Sequence, residues 1–278
     1  MKETTPLVAR VPRLAMAGIA REWFGGHRAA THMSNAMHLL FPAGERFFVR
    51  SVLHYQTVLE TDLTARVRHF CKQEGRHAQA HERFFDNLRA QGHDIERILE
   101  PYERIAFGYC ERKASPRLRL AITAALEHFT ALFAEDALSR NVLSESDTEM
   151  RHLLEWHALE ELEHKAVAFD ILRIVAPSYA LRAFGLLVGA LGLGYFWTNG
   201  VLALWKSDGL TVRAALRELR TSNRAPQPDL ERMLRGIASY VRPSFHPNDV
   251  DHGPLIASTL TRLEAEGAFA TASAASDS

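Results

Sequence analysis

A chain of 278 residues and 31.3 kDa has room for one large core or two small ones. Lys plus Arg and Asp plus Glu both number 33, and this charge balance excludes a protein that binds nucleic acid through a broad basic surface. An apolar content of 47% excludes disorder, and two cysteines, Cys71 and Cys110, cannot make a disulfide framework, which suits a reducing cytoplasm.

No run of alternating β-branched residues bounded by turns is present, so the chain reads as all-α. Residues 1–30 form an N-terminal extension, where Arg10 and Arg13 interrupt the apolar stretches before a secretion signal can form. It holds one amphipathic piece near Leu14 to Trp23. Four long helical patterns then fill 31–175. The first opens at Phe41-Pro42, with proline suited to a first turn, and runs to about Leu59. Thr61-Asp62 offers capping oxygens to the second, which stops at Gln91-Gly92. A partly helical connection, 93–115, leads to a cap at Ser115-Pro116 and a third helix ending near Val142. Ser146-Asp147-Thr148-Glu149 opens the fourth, which reaches about Ile174 before Pro177. Within a hydrophobic segment, 176–206, the stretch from Ala183 to Trp205 carries no charge and is long enough to span a bilayer; a helix covering the bundle is the other reading. A C-terminal helical region, 207–255, has patterns at Thr211–Thr221 and Pro228–Tyr240. Residues 256–278 read as a flexible tail.

The chemistry sits on the four long helices. Glu45 is on the first, Glu74-Gly-Arg-His77 on the second, Glu127 on the third and Glu161-Leu-Glu-His164 on the fourth. Residues three apart in a helix differ by about 60° around the axis, so each E-x-x-H presents both groups on one face. The order Glu, E-x-x-H, Glu, E-x-x-H is the ligand order of carboxylate-bridged dimetal sites in four-helix bundles. Antiparallel pairing that levels Glu45 with Glu74/His77 needs a turn near residue 60, where Glu60-Thr61-Asp62 stands. Levelling Glu127 with Glu161/His164 needs one near 145, where Ser144 to Asp147 stand. By position, Glu74 and Glu161 are bridging carboxylates, Glu45 and Glu127 terminal ones, and His77 and His164 give one nitrogen to each metal. His81, His157 and Glu160 share the face as further ligands or hydrogen-bonding neighbours, with Glu160 competing against Glu161. Glu163 points away, and Glu127-His128 is not a chelate. Cys71 is read as a small buried hydrophobe.

Several blocks resemble a known family in order: FPAGERFFVRSV at 41–52, FCKQEGRHAQAHERFFDNL at 70–88, AALEHFTALFAE at 124–135, WHALEELEHKAVAFDIL at 156–172 and YVRPSFHP at 240–247. Over roughly residues 12–255 the chain is similar to the ferritin-like family of predicted metal-dependent hydrolases. The resemblance implies a ferritin-like four-helix bundle with additional N- and C-terminal helices, and a metal-dependent hydrolase.

Ligand type leads elsewhere. Carboxylate-rich donors with one imidazole per metal suit iron, with manganese or zinc as alternatives. The expected function is therefore a di-iron oxidase or oxygenase acting on a small organic or lipid-like substrate, served by an electron donor. The alternatives are a hydrolase whose nucleophile is a metal-bridging hydroxide, and a non-enzymatic iron-binding protein. A membrane contact through 183–205 would accompany a lipid-like substrate.

Overall fold

The computed structural model describes residues 7–221 and 229–270. Helices α1 (Arg28–Leu53) and α2 (Thr61–Ala90) pack along one another, followed by α3 (Glu96–Tyr102) and a π-helical segment, Glu103–Glu111. Helix α4 (Pro116–Ser139) packs on α5 (Thr148–His164) and α6 (Val167–Val175) and also meets α1. Helix α7 (Tyr179–Ser207) lies across α1 and α4; α8 (Val212–Thr221), α9 (Leu230–Tyr240) and α10 (Gly253–Ala265) complete the chain. Among the described residues there is no strand, only the isolated bridges Pro12–Phe269 and Phe24–Ser146. The fold is an all-α helical bundle.

Local chemistry sets the helix starts. Ser115 Oγ accepts from the Leu118 amide with Pro116 at the first helical position, and Asp147 accepts from the amides of Glu149 and Met150. The first helix departs from expectation: it begins at Arg28, so Pro42 lies inside it. An interior proline removes one hydrogen bond at about 3 kcal/mol, but Leu39, Leu40 and Ala43 are buried around it and packing carries the helix through. The expected fourth helix is divided at Lys165-Ala166, where Lys165 Nζ donates to the Val250 carbonyl at 2.8 Å.

The amphipathic piece Leu14 to Trp23 is not helical. Met16 and Gly18 adopt positive φ, and the segment instead buries Met16, Ile19 and Trp23 in the core, with Trp23 Nε1 donating to Asn35 at 2.8 Å. At the other end, α10 occupies the start of the expected tail and packs on α5, and the Arg13 amide donates to the Ala268 carbonyl at 2.7 Å. Pro228 and residues 271–278 of that tail lie outside the described residues.

Helix α7 contains the whole uncharged stretch and is long and apolar enough to cross a membrane; 22% of its most apolar window is buried. One side packs on the bundle through Gly185, Leu186 and Gly189, while Phe184, Leu187, Leu191 and Tyr195 are exposed.

Candidate metal centre

Two apolar clusters flank a polar layer. On α2, Val67 and Phe70 belong to one and Ala80, Phe84 and Leu88 to the other. Between them α2 presents Glu74 and His77, and α5 presents Glu161 and His164 at the same level; all four are buried. Helix α1 adds Glu45 and α4 adds Glu127, each within 2% of complete burial.

The side chains converge. Donor atoms of Glu74, Glu161 and His164 lie within 4.8 Å of one another, and so do those of Glu45, Glu74 and His77. His164 Nε2 stands 3.1 Å from Glu74 Oε1, 3.4 Å from Glu127 Oε2 and 3.5 Å from Glu161 Oε1. Thus all six residues of the Glu, E-x-x-H, Glu, E-x-x-H pattern meet in one place. His81 and His157 reach it too, each grouped with Glu45, and His157 also with His77 and Glu161. Glu160 does not: its Oε2 accepts from His77 Nε2 at 3.0 Å, and its Oε1 from the Arg10 amide at 2.8 Å.

The hydrogen bonds orient the imidazoles. His77 donates through Nε2 to Glu160, which leaves Nδ1 bare, 3.7 Å from Glu161 Oε1. His164 donates through Nδ1 to Gln73 Oε1 at 3.0 Å, which turns Nε2 to the carboxylates. Gln73 in turn donates to Glu163, whose carboxylate also takes two hydrogen bonds from Arg10, so Glu163 stands outside the cluster. A third array runs inward: His38 Nδ1 donates to His81 Nδ1 at 2.7 Å, His81 Nε2 to His157 Nδ1 at 2.7 Å, and His157 Nε2 to Glu161 Oε1 at 2.9 Å.

Electrostatic strain follows. Burial, then repulsion from Glu74, Glu161 and Glu127, lifts the Glu45 pKa well above the carboxylate range. Burial and Glu127 do the same to Glu74, and burial pushes Glu127 up to about 7 against the pull of His164. Burial would raise Glu161 as well, but the charge of His164 and the hydrogen bond from His157 hold it well below the usual range. Burial would depress His164, but Glu161 and Glu127 lift it well above an ordinary imidazole. His77 and His81 are lowered by burial and by neighbouring imidazoles, so both are neutral.

Both oxygens of Glu45, Glu74 and Glu127, together with Glu161 Oε2, His77 Nδ1 and His164 Nε2, are buried without a hydrogen-bond partner. The carboxylate oxygens and His77 Nδ1 are stranded acceptors, which are expensive, and a buried cation satisfies them together, taking the place of the proton on His164. The donor set fits a metal centre.

Other expectations resolve nearby. His128 donates to the Gly236 carbonyl at 2.9 Å, away from the cluster. Cys71 is half-buried among apolar side chains, and burial pushes its thiol up to about 12. Sequence reasoning missed Arg10, Gln73, His38 and Phe41. His38 is seven before Glu45 on one helix face, a readable signal; Arg10 lies 150 positions from Glu160 and left none. A second group, His32, His93 and Asp208, also has metal-ligand geometry. Its carboxylate is already held by Arg21 and accepts from His32 at 3.1 Å, so a cation there would compete with a guanidinium.

A helical bundle that buries converging carboxylates and imidazoles with stranded acceptors defines a metal-dependent protein. A family model described as predicted metal-dependent hydrolase matches residues 8–251, and the chain belongs to that family. No curated protein and no solved structure matches the chain.

Proposed function

We propose that this protein is a ferritin-like, dimetal-dependent hydrolase, with Glu45, Glu74, His77, Glu127, Glu161 and His164 as the metal ligands. The observation that carries the reading is the set of buried, unpartnered donor atoms aimed at one another. Bound there, two metal ions would supply Lewis acidity and lower the pKa of a coordinated water towards neutrality.

The chain's own residues prepare that chemistry. Glu160 and Gln73 each hold the outward nitrogen of a ligand imidazole, so the inward nitrogens are aimed before a metal arrives. His157 occupies one oxygen of Glu161 and leaves the other for metal. Phe41 packs tilted against His81 and edge-on against His157, with centroids 4.8 and 4.7 Å away, and shields them from water. The family description favours this reading over the oxidase or oxygenase that ligand type suggests.

A second reading, a di-iron oxidase with an electron-donor partner, draws on one observation: the meeting place holds four carboxylates. Metal analysis and the absorption spectrum of protein purified aerobically from its source decide between them. A colourless protein with two metal ions per chain that hydrolyses esters or amides, and stops when chelated, supports the hydrolase. Near-ultraviolet absorption by bound iron without metal-dependent hydrolysis overturns it for the oxidase. Many iron atoms per chain would indicate storage.

A further inference from the structure

Beside the carboxylate cluster lies a cavity of about 490 Å³, walled by α1, the π-helical segment, α4 and α7. That volume is within the roughly 300–1,000 Å³ of ligand pockets. Glu45 is part of the wall; it is 2% exposed, neither of its oxygens has a hydrogen-bond partner, and Oε1 is 3.6 Å from His157 Nε2. The cavity therefore touches a group of the metal site.

Its shape is informative. On α4 the lining runs from Leu118 through Ile122, Leu126 and Thr130 to Phe133, one stripe about 22 Å long at 1.5 Å per residue. The wall is mostly apolar, with Phe47, Phe107, Leu193 and Phe196 among its residues, and besides Glu45 its charged members are Glu111, Lys113 and Arg119. Helix α7 contributes no side chain at Gly189 or Gly192, and a Cβ at Gly192 would meet nothing within 4 Å, so the space reaches the helix backbone. The exposed Tyr109, Cys110 and Lys113 are also in the wall, and the cavity meets solvent there.

Building on the hydrolase reading, we propose that the substrate is a long-chain acyl ester whose hydrocarbon chain lies in this cavity and whose carbonyl group reaches the metal site at Glu45. Water adds to the acyl carbon, the bond from that carbon to the alkoxy oxygen breaks, and a water proton passes to the departing oxygen, giving a carboxylic acid and an alcohol. Two sources share this chemistry, a dispersed acyl compound and a lipid within a bilayer.

The test uses the metal-loaded full chain. Saturated fatty acids of four to sixteen carbons, as dispersed monomers, compete against the fluorescent ligand 1-anilinonaphthalene-8-sulfonate. Affinity is expected to rise about fourfold for each added methylene until the cavity is full. Gly192→Leu, projecting into the open space, should shorten the longest chain accepted without altering metal content, and Val188→Phe in the same wall should act alike. Gly194→Leu, exposed on the same helix and outside the cavity, should leave the series unchanged. In a second arm the acid is embedded in phosphatidylcholine vesicles: uptake with the protein sedimenting on the vesicles supports a bilayer source, uptake from dispersed monomers alone supports a soluble one. Binding that is flat with chain length, or equal effects of the 192 and 194 variants, overturns the proposal. If the chain-length series holds but matching p-nitrophenyl esters are not hydrolysed, the hydrolase reading fails and the acyl site stands. Metal-dependent hydrolysis that ignores chain length does the reverse.

Discussion

Nε2 of His77 stands 3.0 Å from Oε2 of Glu160, with both side chains fully buried. Glu160 and Glu161 are adjacent in sequence, yet Glu160 turns to the far side of the imidazole while Glu161 lies with the other carboxylates. A helix advances about 100° per residue, so neighbours cannot both face one point. The expected outcome is a split between them. Glu161→Ala, like Glu74→Ala, lowers metal content by at least one atom per chain. Glu160→Gln retains the sites but weakens affinity about 10–100-fold, the usual cost of losing an orienting partner. Elemental analysis and chelator-competition titration measure both. Full stoichiometry in Glu161→Ala and Glu74→Ala would remove the assignment.

His81 offers a second contrast. Both of its nitrogens are used, one by His38 and one by His157, so it acts on the cluster through His157 and Glu161. His77 keeps a bare nitrogen beside Glu161. His77→Ala should therefore cost more metal affinity than His81→Ala in the same titration. Equal losses would make His81 a ligand in its own right.

What the sequence revealed, and what it hid, follows from range. The E-x-x-H pairs, their partner glutamates and the turn signals near 60 and 145 are local patterns, and helical periodicity turns them into a shared level. Pro42 misled because a proline signals a first turn, and only the buried neighbours Leu39 and Ala43 show that the helix continues. The bond from Arg10 to Glu160 and that from His164 to Gln73 join segments with no common period. The cavity was not legible, because the part played by α7 depends on where that helix lands.

Helix α7 lands where its glycines allow. A Cβ on Gly185 would sit 2.6 Å from the carbonyl carbon of Ala121, a clash with backbone that cannot rotate away, whereas one on Gly192 meets nothing within 4 Å. Gly185→Ala should destabilise by about 1–3 kcal/mol through overpacking, lowering Tm by about 2–4 °C per kcal/mol. Gly192→Ala should be neutral or stabilising by up to about 1 kcal/mol, since alanine favours a helix. Thermal melts of the two variants check this. Equal behaviour would mean that α7 is not seated against α4 at Gly185.

Metal removal should be read against pH. Metal bound to the folded state alone adds stability by mass action, so chelation lowers Tm. The size of that drop depends on protons in the emptied site. Glu127, pushed up to about 7, and Glu45 and Glu74, also raised, have folded pKa values above the unfolded value of about 4.3. A group of this kind gives stability that is present below the unfolded pKa and lost as pH rises through the folded one. His164, also raised, works in the same direction. The depressed imidazoles His38, His77 and His81 work oppositely, since each is about half protonated in the unfolded chain at pH 6.5, but they are neutral in the folded protein with or without metal, so their contribution is common to both and cancels in the difference. Glu161, held low, is ionised in both states there. Relative to the loaded protein, whose carboxylates stay ionised against metal, the chelated protein should therefore lose stability between pH 6.5 and pH 8. Groups remote from the cluster cancel in the difference. Melting curves with and without chelator at the two pH values measure it, and a chelator effect that shrinks with rising pH would contradict the buried-carboxylate account of the site.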